Sequence, residues 1–390
     1  MGLLTAILAA AASAAAAGPA TAPATAPASI PVAVIPDRTF NVMQFCAKGD
    51  GKTDDTAHLQ AAIDAAAAAG GGTVLLPSGG TFVSNFLTVK ASHIAIRIDG
   101  TLAAQLRELY SDPKKSLITF SKSHDVELCG SGTIDGRGEL GGWWGTGGKK
   151  NVPAAGSRPR LVRFADCDTV FIHDITMRNS PSFHIIFGKT NNVIIRGIKI
   201  VAPSSEDSQC PPGVLASHNT DGVDPHGSNY LIENCDITCG DDNIAIAPST
   251  AACNNIVIRH CTFGTGHGVS IGGGPAGVDG VTVTDCTFTG TTNGIRLKSN
   301  RETGGKAQNL LYSNLTMKDV RLPILFTSHY GEVGGEYPKN PADDPGEPAG
   351  DTTPTWQNIT LRNVTISNGP PKGVAGIIWG LPEAPSPTWR

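Results

Sequence analysis

Aromatic residues make up only 6% of this 390-residue chain. That scarcity argues against a surface that grips sugars by stacking them on exposed rings. Charged residues are scarce as well, at 16%, and the formal net charge is −4. No global basic field is available to attract nucleic acid, so an anionic ligand has to be held by a few placed Lys and Arg side chains. No Cys-x-x-Cys pair occurs among the nine cysteines, which argues against a structural zinc site. Beyond the first residues, no segment reaches the ~20 apolar residues of a membrane span. Gly, with 47 residues, and hydrophobic residues, at 40%, are abundant instead. The combination suits a large core built from many short strands and tight turns.

The chain opens Met1-Gly-Leu-Leu-Thr-Ala-Ile-Leu, continues in an Ala run, and then repeats Ala, Thr and Pro over residues 18–31. The first part has the apolar stretch and small residues of a secretory signal peptide, and the second reads as a flexible spacer. No positive side chain precedes the apolar stretch, so a disordered Ala/Pro tail is the competing reading. Residues 1–31 are expected to be leader and spacer, with a secreted or periplasmic location. Residues 38–390 contain no further linker and are expected to form one domain.

An odd number of cysteines leaves at least one free thiol. Cys235, Cys261 and Cys286 recur at spacings of 26 and 25, which suits a stacked core column. Cys210, Cys239 and Cys253 lie in less regular stretches and could form a bridge outside the cytoplasm.

From about residue 117 a short unit of β-branched residues repeats. It stands as Asn192-Val-Ile-Ile-Arg-Gly-Ile-Lys-Ile, Asn229-Tyr-Leu-Ile-Glu-Asn-Cys-Asp-Ile, Asn255-Ile-Val-Ile-Arg-His-Cys-Thr-Phe, Gly280-Val-Thr-Val-Thr-Asp-Cys-Thr-Phe and Asn358-Ile-Thr-Leu-Arg-Asn-Val-Thr-Ile. Within each unit apolar and polar residues alternate at the strand period. A period of roughly 20–30 residues signals a solenoid. It leaves no room for a crossover helix, so successive strands must stack in parallel as coils of a β-helix. One helix is expected near the start, from Thr56 to Ala69, with Leu59, Ile63 and Ala67 on one face. Asp54 and Asp55 suit its N-terminus, and Gly70-Gly71-Gly72 suits its end. It would cap the open end of the solenoid.

Three coils fall into register by their apolar pairs: Ile244/Ile246, Val269/Ile271 and Ile295/Leu297. These point inward, so Ala245, Ser270, Arg296 and Lys298 point outward. Two residues upstream of each pair lie Asp242, His267 and Asn293, and Asp221 lies one repeat earlier. Coils stack ~5 Å apart. Asp221, Asp242 and His267 therefore form a column, with Asp241, Arg296 and Lys298 beside it. Glycosidic cleavage takes one carboxylic acid to protonate the leaving oxygen and one carboxylate to activate water. Three crowded carboxylates cannot all ionise freely, so at least one should hold its proton unusually tightly. Arg and Lys can grip a substrate carboxylate or neutralise the acidic cluster. Taken singly, each motif reads as a solvated turn or strand face; the shared register carries the inference.

At these residues the sequence resembles the polygalacturonase family, glycoside hydrolase family 28. The family's ordered blocks stand here as Asn219-Thr220-Asp221, Gly240-Asp241-Asp242, Gly266-His267-Gly268 and Arg296-Leu297-Lys298, with Leu297 in place of the usual Ile. Gly49-Asp50-Gly51-Lys52-Thr53-Asp54-Asp55, Asp135-Gly136-Arg137-Gly138 and Asn179-Ser180-Pro181 are also similar to family motifs. The fold expected is all-β: a single-stranded, right-handed parallel β-helix, a solenoid with an N-terminal capping helix.

The resemblance implies inverting hydrolysis of α-1,4-galacturonosyl bonds in polygalacturonate or pectin by a monomer, without metal or cofactor. It implies Asp241 as general acid, Asp221 and Asp242 as activators of water, and His267 as support for the acid. Arg296, Lys298 and Tyr330 would bind substrate, although the flanks of Tyr330 match loosely.

Two features depart from the family pattern. The Pro203–His218 segment is long and is expected to narrow one end of the cleft, which favours cleavage from chain ends. After Trp379-Gly380-Leu381-Pro382 a further coil is expected, but the sequence stops at Arg390. Rival readings are a rhamnogalacturonan hydrolase, which departs from the Gly-His-Gly and Arg-x-Lys blocks, and a pectate lyase, which needs a Ca²⁺ site and an Arg base. A non-catalytic carbohydrate-binding β-helix is the third, and it would call for exposed aromatics.

Overall fold

The alternating units become strands that pair in parallel from one coil to the next. The computed structural model describes residues 29–140, 142–144, 153–331, 344–369 and 374–384. The leader and spacer expected over residues 1–31 lie, but for the last three, outside the described residues.

One coil contributes Asp236–Thr238, Ile244–Ile246 and Cys253–Arg259; the next contributes Thr262–Phe263, Val269–Gly272 and Val278–Thr284. The middle strands stack into a ten-stranded sheet, and the others into a 20-stranded sheet. The latter is continuous because Lys306–Lys318 and Thr355–Ser367 run unbroken through both of its columns. The coils wind as a right-handed parallel β-helix.

Inward residues register one above the next. Ile172, Ile195, Ile232, Ile258 and Val283 form one fully buried column. Phe120, Phe164 and Phe187 form another, with ring centroids 4.6 and 5.2 Å apart. Offset stacks at this spacing add to the burial of each ring.

The leading Asn of the repeat has a backbone reason. Asn192, Asn229 and Asn255 adopt φ of 56°, 64° and 54°. Asn adopts this left-handed conformation more readily than most residues, and Thr169 holds the same place one coil earlier at φ of 53°. The Asn side chains link the coils: Asn229 Nδ2 donates to Asn192 Oδ1, and Asn255 Nδ2 to Asn229 Oδ1, each at 2.9 Å. Gly280 takes the same place in the next coil, with φ of 72°.

Cys235, Cys261 and Cys286 are buried, as the spacing predicts, and each thiol donates to a carbonyl two residues earlier. Cys210, Cys239 and Cys253 are free thiols, so the anticipated bridge is not made. Each instead bonds a different carbonyl, Ser204 O, Asp241 O and Pro225 O respectively.

The helix, α1, runs Thr56–Ala68. It buries Leu59, Ala62, Ile63 and Ala66, whereas Ala67 is only half-buried. The i, i+3, i+4, i+7 stripe selects Ala66 over the expected Ala67. The helix packs on Thr39–Asn41, Gly72–Leu76 and Leu87–Val89 and covers the first coils.

Candidate active site

The turns that enter successive strands of the ten-stranded sheet carry the chemistry. Val223, Ile244, Val269 and Ile295 pair in one ladder, so the turns just before them stack as well. Two glycines in these turns are set by close approach of the coils. A Cβ at Gly240 would strike Ser217 O, and one at Gly268, where φ is 72°, would strike Asn293 O and Gly294 O.

This stacking gathers Asp221, Asp241 and Asp242, each offering a carboxylate oxygen within 4.8 Å of the others. Asp242 is 1% exposed and heavily bonded. Its Oδ1 accepts from Ser270 Oγ at 2.7 Å and Arg296 Nη2 at 2.5 Å, and its Oδ2 from Lys298 Nζ at 2.8 Å. Burial alone would raise its pKa, but Arg296, Lys298 and His267 outweigh burial and hold the carboxyl well below the usual carboxylate range. Asp221 behaves in the opposite way. Its Oδ1 is buried without a hydrogen-bond partner among the described residues. Burial first, and then the charges of Asp241, Asp224 and Asp242, push its carboxyl well above the usual range. Of the three, Asp221 is thus the carboxyl that burial and crowding bias toward its protonated form.

His267 Nδ1 lies 2.6 Å from Thr292 Oγ1, and its Nε2 lies 3.8 Å from Asp241 Oδ1. The Thr292 hydroxyl donates to Gly266 O at 3.3 Å, which leaves its lone pair for the imidazole N–H. That makes Nδ1 a donor and aims Nε2 at Asp241.

Arg296 stands at an outward strand position, yet it is only 2% exposed. Its Nε donates to Ser270 Oγ at 2.9 Å, and with its bond to Asp242 this places it beneath the cleft rather than on its surface. Of the two uses foreseen for the basic pair, neutralisation of the cluster describes Arg296. Lys298 is half-buried, lines the cleft, and sits 5.2 Å from the Tyr330 ring centroid. Lys298 and Tyr330 are thus brought together although 32 positions separate them (330 − 298).

The cleft beside the cluster encloses about 360 Å³ and includes Phe183, Asp221, Asp224, His226, Asp242 and Lys298 in its lining. Asp224 was not anticipated. Burial, followed by the charges of Asp242 and Asp241, raises its carboxyl well above the usual range. Its signal was available: Val223 pairs with Ile244, so extending the outward column of Ala245, Ser270 and Arg296 back one coil reaches it. Thr292 precedes Asn293 of that same alignment, and its role required coordinates.

The Pro203–His218 segment is tied at its base and along its length. Ser217 N donates to Ser204 O at 3.1 Å, so its ends are held together. Glu206 reaches Arg321 at 3.4 Å, several coils downstream. The segment therefore reaches along the stacked turns, from the coil that carries Asp221 to the one that carries Arg321.

Chemically, the site presents a buried ionised carboxylate, a carboxyl biased toward its protonated form, a third carboxyl beside an imidazole, and a cation facing the cleft. The three Asp oxygens are close enough to hold a divalent cation. Two cations already pair with Asp242, which opposes adding another.

Comparison with known proteins agrees with this geometry. The family model described as glycosyl hydrolases family 28 matches residues 69–374. A polygalacturonase of Chamaecyparis obtusa is 34% identical over 304 residues, covering 75% of this chain and 56% of that protein. An endo-polygalacturonase of Pectobacterium carotovorum subsp. carotovorum is 32% identical over 260 residues, covering 64% of this chain and 58% of that protein. The chain thus spans under two thirds of the length of these curated relatives. The solved polygalacturonase from Erwinia carotovora ssp. carotovora superposes with a TM-score of 0.67 at 25% identity, covering 90% of this chain and 99% of that one. An exopolygalacturonase from Thermotoga maritima superposes with a TM-score of 0.71 at 24% identity, covering 87% and 83%, and shares the fold.

Proposed function

Because the chain belongs to glycosyl hydrolases family 28, we propose that it hydrolyses α-1,4-galacturonosyl bonds of polygalacturonate or pectin with inversion of configuration. Asp241 is the general acid, Asp221 and Asp242 activate the water, and His267 supports Asp241. Lys298 and Tyr330 engage the sugar on its way to the acid, and Arg296 acts through Asp242. The observation that carries the reading is the convergence of three carboxylate oxygens within 4.8 Å beside a cleft-facing lysine.

The separation of the carboxylates does not by itself argue for inversion. Inverting enzymes leave ~6.5–9.5 Å between acid and base, and retaining enzymes ~5–5.5 Å. A gap under 4.8 Å suits two groups that share one water. What opposes a covalent route is the state of Asp242, whose oxygens are occupied by Ser270, Arg296 and Lys298 and are poorly placed to attack carbon. The acid role goes to the carboxyl that stands beside His267 and is the more exposed to solvent. The side chain of Asp241 is 22% exposed, against 2% for that of Asp242. The protein is taken to act as a secreted or periplasmic monomer, in keeping with the leader expected over residues 1–31.

The test is incubation with polygalacturonate. New reducing ends without an ultraviolet-absorbing double bond are expected, since a lyase would leave one. Asp241→Asn should lower kcat by at least ~100-fold with KM little changed. Near-normal turnover in that variant would remove Asp241 from the acid role.

A further inference from the structure

Two arginines are among the largest fully buried side chains, Arg296 and Arg158. Arg296 is accounted for by Asp242. Arg158 belongs to none of the motifs, lies 61 residues from Asn219 in the chain, and is 0% exposed. Its Nη1 donates to Pro181 O at 2.7 Å and His218 O at 2.9 Å, and its Nη2 to Asn219 Oδ1 at 2.9 Å. These acceptors are all uncharged. A buried guanidinium held this way carries an unrecovered desolvation cost. Burial pushes it down to about 10, while the charges of Asp221 and Asp241 pull the other way.

The bond to Asn219 has a consequence one step further on. Asn219 adopts a φ of 55°, and its Nδ2 donates to Asp241 Oδ2 at 3.3 Å. An amide presents its oxygen at one end and its nitrogen at the other. With Oδ1 taken by Arg158, only the N–H end can face Asp241. A flipped amide would turn a carbonyl oxygen toward the carboxyl and lose both bonds.

We propose that Arg158 is a positioning residue for Asp241: it fixes the amide of Asn219 so that the acid's carboxyl is held in one orientation, and its buried charge sets the pH range in which the Asp cluster works. The proposal rests on the reading of Asp241 as the acid. Removing the charge makes Asp221 hold its proton more tightly. The lower limb of the pH–rate bell then moves up, because the water-activating carboxylate protonates sooner.

The experiment compares Arg158→Gln, Arg158→Lys and Asn219→Ala with the wild type, each first checked for folding by circular dichroism. Arg158→Gln should lower kcat about 10- to 100-fold, as expected of a misplaced catalytic group. KM should stay within about twofold, and the lower limb should move up by about one pH unit. Arg158→Lys keeps the charge and loses the fork, so kcat should fall while the bell stays in place. Because Arg158 acts through Asn219, adding either Arg158 change to Asn219→Ala should cost little more than Asn219→Ala alone. A bell that does not move in folded Arg158→Gln, or additive losses in the double variants, overturns the proposal. If Arg158→Gln does not fold, the Arg158→Lys/Asn219→Ala cycle decides by the same criterion. Failure of the underlying reading looks different: the wild type would not cleave polygalacturonate, or Asp241→Asn would stay active.

Discussion

Replacing Lys298 by Met separates two duties that the structure gives one ammonium group. Its Nζ donates to Asp242 Oδ2 at 2.8 Å and faces the cleft near Tyr330. An ammonium has three protons, so it can serve Asp242 and a substrate carboxylate together. For the first duty, loss of an opposite charge in contact lets a carboxyl rise by about one to three units. Asp242 is held low partly by Lys298. Lys298 also opposes protonation of Asp221, whose pKa stands far higher than that of Asp242 and so limits the low-pH side; losing the ammonium moves that limb of kcat/KM to higher pH. For the second duty, an unpaired galacturonate carboxylate in the cleft costs about 2–5 kcal/mol. At 1.4 kcal/mol per tenfold, that is roughly 30- to 4000-fold in kcat/KM.

The assay measures kcat/KM on unesterified and highly methyl-esterified chains from acid to neutral pH. The wild type should strongly prefer the unesterified chain. Lys298→Met should lose that preference and show the displaced limb. A displaced limb with preference intact would confine Lys298 to serving the Asp cluster. A variant indistinguishable from the wild type on both substrates at every pH would refute the reasoning altogether.

Proton NMR of the first-formed product should show the β anomer released from the α-linked chain, and the α anomer would instead establish retention. Thr292→Val removes the acceptor that fixes His267 Nδ1 at 2.6 Å. It should lower kcat by about tenfold or more with KM unchanged, and an unaltered kcat would show that the imidazole orients itself. Asn229→Ala removes two coil-to-coil bonds and leaves an alanine at φ of 64°. Those bonds are worth about 1 kcal/mol each, and the backbone strain a similar amount, so Tm should drop by several degrees. A Tm within a degree of the wild type would show that this ladder does not hold the coils.

Much of the architecture could be read from the chain because a parallel ladder keeps inside and outside constant from coil to coil. Aligning Ile244, Val269 and Ile295 from their apolar pairs reproduces the observed pairing. The alternation tells which side a residue faces, but not how deeply it is covered. Arg296 points outward and is nevertheless buried, because Ser270 and Asp242 close over it. Arg158 left no trace in the repeat, since it enters from a stretch before the strand Val162–Ala165 and meets Asn219 only through stacking. The flanking course of Pro203–His218 was equally hidden. It depends on where Glu206 comes to rest, which no local pattern specifies.

The column of stacked turns also governs how the protein would lose activity under stress. A solenoid coil touches little besides its two neighbours, so such a stack can come apart rung by rung from either end. Every group assigned to the chemistry, from Asp221 to Tyr330, belongs to a run of adjoining rungs in the C-terminal half of the described coils, with the strand Gly376–Trp379 stacked beyond it. Fraying near α1 would be invisible to an activity assay, while parting of any two rungs between Asp221 and Lys298 would abolish turnover at once. Residual activity thus works as a strain gauge for this run of rungs, and its disagreement with a whole-molecule probe such as circular dichroism would measure how far the N-terminal end has unravelled.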